Sequence, residues 1–137
     1  MLPSPPPPFR APLLLLLFLT TSFASGSPRI TEFMASNDGI VADEDGDFPD
    51  WIEIHNPDPV RIDLAGYFLT DNSSEPSKWI FPPGSYIAGG EYLLVFASGK
   101  NRGSFPAELH TNFQLDAGGE YLALIAPDRS TILTEFG

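Results

Sequence analysis

Between Asp50 and Ala97 every apolar run is short and ends at residues that break regular structure, and this punctuation restricts the fold more than any other feature of the chain. Trp51-Ile52-Glu53-Ile54-His55 is closed by Asn56-Pro57-Asp58-Pro59, and Trp79-Ile80-Phe81 by Pro82-Pro83-Gly84. Ala88-Gly89-Gly90 turns the chain into Tyr92-Leu93-Leu94-Val95-Phe96-Ala97. Runs rich in β-branched, aromatic and aliphatic residues and cut by Asn, Asp, Pro and Gly read as short strands joined by turns, together the core of a β-sandwich. No segment of helical period is long enough to predict a helix, and there is no internal repeat.

The first strand is expected over Arg29 to Ala35, although its period is impure, with Ile30, Glu32 and Met34 set against Thr31 and Phe33. In Trp51 to Asn56 alternation is strict. Ile52 and Ile54 should point into the core, with Trp51, Glu53 and His55 on the other face. Further strands are expected at Val60 to Leu64, Tyr67 to Thr70, Trp79 to Phe81 (stopped because two prolines remove two ladder donors), and Tyr86-Ile87. Leu93 to Phe96, continuously apolar, should be the most buried strand. Ser98 to Glu108 reads as a surface loop, and a final hairpin is expected from Glu120 to Ala126 and Thr131 to Phe136.

Trp51 to Asn56, Asp63-Leu64-Ala65-Gly66-Tyr67-Phe68-Leu69, Trp79-Ile80-Phe81-Pro82, Ala88-Gly89-Gly90 and Leu93 to Ala97 together resemble the lamin tail domain. The resemblance spans roughly residues 29 to 137 and implies an all-β, immunoglobulin-like β-sandwich. Leu109 to Leu115 resembles the segment that precedes the final hairpin in bacterial domains of this kind. Those domains carry a further short segment after the last strand, so the resemblance implies that a domain over 27–137 is truncated at its C-terminal end.

Residues 1–26 have a different character. A proline-rich start with Arg10 leads into Leu13-Leu14-Leu15-Leu16-Leu17-Phe18-Leu19, and Ala24-Ser25-Gly26 offers small residues to a signal peptidase. This reads as a secretory signal peptide, with the mature chain beginning at Ser27 or Ser25. Seven uninterrupted apolar residues fall well short of the roughly 20 that span a bilayer, and no transmembrane span is expected in the mature chain. Of the seven basic residues only Arg10 precedes position 27, whereas all 18 acidic residues follow it, giving the mature part a net charge of −12. Such a surface repels phosphate backbones, so nucleic acid is not an expected partner, and the chromatin association of animal lamin tails does not carry over. With no cysteine, the domain must hold together by burial alone.

The sequence offers little chemistry for catalysis. It has two histidines, His55 and His110, no Cys and no Gly-x-Ser-x-Gly elbow. His55 reads as a surface strand residue, and His110 as a structural partner near a strand start. No catalytic residue is assigned, and the segment is not expected to be an enzyme. The sharper feature is the acidic loop: Asp43, Asp45, Asp47 and Asp50, with Glu44 between, crowd carboxylates whose mutual repulsion would favour a hard cation, calcium being the candidate. Positions 43, 45 and 47 have the spacing that opens calcium loops. Gly46 at the fourth place and Ile54 at the twelfth rule out an EF-hand, and a solvated acidic turn is the other reading. Asn72-Ser73-Ser74 meets the N-glycosylation pattern. Trp79, Tyr86 and Tyr92 could line a sugar-binding face.

The expected function is that of a non-catalytic accessory or interaction module of an exported or cell-surface protein, contacting a protein or other extracellular partner. The alternatives are a carbohydrate-binding module, which requires an exposed aromatic row, and the N-terminal part of a larger secreted hydrolase whose catalytic domain lies beyond residue 137.

Overall fold

The computed structural model describes residues 26–119 and 121–137. The secretory leader expected over residues 1–26 lies, apart from Gly26, outside the described residues. Ten strands form three sheets, and there is no helix among the described residues. The first sheet runs β1 (Arg29–Met34), β2 (Asp50–His55), β7 (Tyr92–Ala97), β8 (Leu109–His110), with β8 parallel to β7 and the other pairs antiparallel. The second runs β10 (Ile132–Phe136), β9 (Leu122–Ile125), β4 (Phe68–Thr70), β5 (Trp79–Ile80), all antiparallel. A small sheet pairs β3 (Ile62–Asp63) with β6 (Tyr86–Ile87).

The two large sheets enclose one apolar core. Ile52 and Ile54 of β2 are fully buried, as their alternation requires, with Val95 beside Ile52 and Leu69 and Leu124 contributed by the second sheet. Burying each such side chain contributes about 1.5–3 kcal/mol, enough for a sandwich without covalent staples. The impure period of the first strand has a structural cause. A bulge at Thr31 shifts the register, so that Ile30 pairs with Ile54 and Phe33 with Ile52, and residues three apart face the same side.

Several strand expectations need correction. Val60 to Leu64 forms only the two-residue β3, because Asn56 gathers that segment into a turn. Its Nδ2 donates to the carbonyls of Val60, Ile87 and Ala88 at 2.9–3.1 Å, and its Oδ1 accepts the N–H of Asp58 at 2.9 Å. The same turn explains Gly89, where an added Cβ would lie 2.0 Å from the Pro59 carbonyl oxygen. β7 is not the most buried strand: Leu93 and Leu94 are only partly covered, whereas every residue of β9 is buried, as is every residue of the shorter β4 and β8. β9 packs Leu122 and Leu124 into the main core and Ala123 and Ile125 against Phe68 on the reverse face.

One end of the outer face of the first sheet is also buried. Trp51 is paired with Phe96, Phe96 is in register with His110, and all three are at most 7% exposed. The expected surface loop over Ser98 to Glu108 folds back on this side through paired hydrogen bonds between Arg102 and His110. Gly103 permits the close approach, at φ 127° and with room for no Cβ beside the Glu108 carbonyl.

Candidate functional site

The acidic loop closes on itself before it meets anything else. Asp43 Oδ1 accepts the N–H groups of Asp45 and Asp47, both at 3.0 Å, and Gly46 at φ 82° allows the tight return. This brings the carboxylates of Asp43, Asp45 and Asp47 together around the ammonium of Lys100. Its Nζ bonds Asp43 Oδ2 at short range, Asp45 Oδ2 at 2.7 Å and Asp47 Oδ2 at 2.9 Å. Arg102 adds a second cation, reaching Asp45 Oδ2 at 2.5 Å and Glu44 Oε1 at 3.1 Å.

Burial pushes the Asp43 carboxyl up, but the Lys100 ammonium and the Asp47 and Asp45 N–H groups more than offset it, leaving its pKa below the usual value. Lys100 and Arg102 lower Asp45, and the Asp43 and Asp45 carboxylates hold Lys100 well above the ordinary lysine value. Three of the four aspartates singled out in the sequence therefore converge, and a lysine more than fifty positions away supplies positive charge at their centre. Calcium at these residues would have to displace that ammonium.

Asp50 stands apart. Its Oδ1 accepts the N–H of Ser36 at 2.8 Å and its Oδ2 that of Leu115 at 3.1 Å, so it ties the end of β1 to the segment before the last hairpin. Between those two lies an apolar cleft of about 650 Å³ whose walls include Phe33, Ala35, Leu115, Tyr121, Leu122 and Phe136. Phe33 and Phe136 meet edge to face at 5.1 Å and remain 39% and 36% exposed. The sequence reading missed this cleft because its walls come from three separated segments. The one local hint was Phe33, a large aromatic out of phase with its strand.

His110 is buried beneath the ion-paired loops, a structural position as expected for it. Its Nδ1 lies 2.9 Å from Ser98 Oγ, and its ring stacks on Phe96 at 5.3 Å. Glu108 Oε2 stands 3.7 Å from Nε2 and accepts the N–H of Glu44 at 2.7 Å. Serine, histidine and glutamate meet here, but Ser98 is 8% exposed and its Oγ also accepts the backbone N–H of Lys100 at 3.1 Å, so the hydroxyl is covered rather than presented at the surface.

Of the aromatic residues weighed for a sugar platform, Trp79 is buried and only Tyr86 and Tyr92 reach the surface. Trp79 is a core residue against Phe81, Tyr86 packs between Phe105 and the Arg61 guanidinium, and Tyr92 stacks on His55. Among the described residues no helix is long and apolar enough to cross a membrane.

No curated protein is significantly similar to the chain. The family model of the lamin tail domain matches residues 21–135, most of its length. Two antiparallel-dominated sheets packed face to face agree with that match, and the chain belongs to the lamin tail domain family of immunoglobulin-like β-sandwiches.

Proposed function

We propose that this lamin tail domain is a non-catalytic accessory module of an exported or cell-surface protein, and that it binds a protein partner through the cleft between β1 and β10. The cleft is the observation that carries the reading. Its volume is within the range of small binding sites, its walls are mostly hydrocarbon, and two partly exposed phenylalanines stand at its mouth. Exposed aromatics at a concave apolar site are the groups that anchor protein contacts. The surrounding molecule carries a net charge of −12 beyond residue 26, so the complementary occupant is an extended segment with a bulky apolar residue flanked by Lys or Arg. Export is supported by the leader-like composition of residues 1–26.

Panning the full chain against a displayed peptide library tests the cleft, with Phe33→Ser and Phe136→Ser as counter-screens. Enriched peptides should pair an apolar residue with basic neighbours, and both variants should lose them. Peptides retained equally by both variants would overturn the assignment. Intact mass of protein recovered outside the cytoplasm should correspond to a start at Ser27 or Ser25. Recovery of the Met1 form alone, inside the cytoplasm, would overturn export.

A further inference from the structure

Glu44, Glu108 and His110 come from two loops and a strand, and their ligand atoms all lie within 4.8 Å of one another. His110 is fully buried, and its Nε2 makes no hydrogen bond. Buried polar groups are ordinarily paired, so a buried ring nitrogen without a partner, aimed at carboxylates, requires an explanation. Neither tautomer supplies one within the chain. With the proton on Nδ1, the Nε2 lone pair faces the Glu108 carboxylate, an acceptor against an acceptor. With the proton on Nε2, the N–H is 3.7 Å from Glu108 Oε2, beyond hydrogen-bond range.

Two ligands each about 2 Å from one tetrahedral ion stand about 3.3 Å apart, so the 3.7 Å between His110 Nε2 and Glu108 Oε2 needs only a few tenths of an ångström of closure to share one. We infer that Glu44, Glu108 and His110 form a site for a first-row divalent transition metal, with zinc the ion that fits the ligand set best. The one buried ligand is an imidazole nitrogen, which selects against calcium and magnesium, and two carboxylates complete a mixed nitrogen and oxygen set.

The surroundings are built as such sites are. The other ring nitrogen is held by Ser98 Oγ at 2.9 Å, a hydroxyl that can accept the Nδ1 proton's hydrogen bond when Nε2 turns its lone pair to a cation, and Phe96 stacks on the ring. Glu108 is positioned by the Glu44 N–H, and the Gly103 backbone packs against the Glu108 carbonyl. One oxygen of Glu44 meets Arg102, so Glu44 is the weakest of the three ligands. This site is separate from the Asp43, Asp45 and Asp47 cluster around Lys100.

The test is calorimetric titration of the chelator-treated full chain with zinc chloride, with nitrogen-15 spectra of the two histidine rings recorded at each point. The expected result is uptake of one ion, a shift at His110 Nε2 with His55 unmoved, and at least tenfold weaker uptake in Glu108→Gln. Glu44→Gln should weaken it less, and Asp47→Asn not at all. Both glutamates are partly exposed, so their isosteric variants should fold, whereas a His110 variant removes a buried stacking partner. Absence of uptake at millimolar zinc would overturn the site, as would uptake unchanged in Glu108→Gln or a shift confined to His55.

Discussion

The inner face of the first sheet and the Trp51, Phe96 and His110 patch on its outer face are both closed to water, yet they are buried by different means. On the inner face Ile52, Ile54 and Val95 meet hydrocarbon from the opposing sheet, an interaction that has no direction and depends on area. On the outer face Trp51, Phe96 and His110 lie beneath two loops whose attachment is electrostatic: Lys100 and Arg102 on one side, four acidic residues on the other. Hydrocarbon burial responds little to salt and pH, whereas ion pairs respond to both. Lys100 is 24% exposed and its partners Asp45 and Asp47 are 43% and 67% exposed, so these contacts act as a latch rather than as a second core.

The largest effect should come from the inner face. Ile54→Ala removes a fully buried side chain that the opposing sheet cannot replace, and should cost about 3 to 4 kcal/mol in urea unfolding. A loss as small as that of an exposed site would mean that the sheets repack freely.

Lys100→Met comes next and acts on the outer face. It leaves the fully buried Asp43 side chain without its cation, and the expected loss is less than half that of Ile54→Ala. Protection of the Trp51 indole should fall while that of Leu122 to Ile125 is unchanged in hydrogen exchange. The same variant frees Asp43 and Asp47 and leaves Asp45 on Arg102 alone, so millimolar calcium should raise its melting temperature more than it raises that of the parent. Equal calcium responses would show that Lys100 does not fill the place of a cation.

Acid should separate the faces further. Asp43 and Asp45 titrate below ordinary aspartate in the fold, so the stability they contribute is complete above about pH 4 and is lost as pH falls through their lower folded values. Asp128, lowered to about 2 by the hydroxyl and N–H of Thr131 and the N–H of Ser130, has the same sign in the turn between β9 and β10. Lys100 has the opposite sign, its contribution complete below its ordinary value and lost only as pH rises through the folded one. Below pH 4 the Trp51 indole should exchange before that of Trp79. Simultaneous loss would mean that the loops and the core open as one unit.

Salt should have the smallest effect. Raising the ionic strength from about 0.1 to 1 M shortens the screening length from about 10 to 3 Å, which weakens the exposed pairs and leaves the hydrocarbon core alone. A slight fall in Trp51 protection, with none at β9, is the expected reading by hydrogen exchange.

Much of the inner face was legible beforehand, because each of its causes is local. The strict alternation of Trp51 to His55 dictates which side Ile52 and Ile54 take, and the Pro82-Pro83-Gly84 and Gly89-Gly90 breaks dictate where strands stop. The β1 pattern was harder to read because its bulge at Thr31 appears only when Glu53 and Ile54 are in place opposite. Burial of β9 above β7 was not legible, since both are apolar and only Phe68 on the reverse face separates them. In the acidic loop, the convergence of Asp43, Asp45 and Asp47 followed from their spacing and Gly46. Asp50 has the same chemistry but belongs to the first residue of β2, whose direction turns its carboxylate toward Ser36 and Leu115. Glu108 and His110, two apart as strand neighbours on one side are, left a faint signal, and Glu44 left none.

The sequence alone therefore determined an all-β chain and most of its breaks, the inward side of β2 and a crowded acidic turn, because periodicity and turn chemistry are properties of neighbouring residues. Tertiary structure decided that Lys100 enters that turn across more than fifty positions, that Asp50 braces a cleft, and that Glu44 reaches the buried His110. Charges interact through space, over distances that only the folded path of the chain makes short.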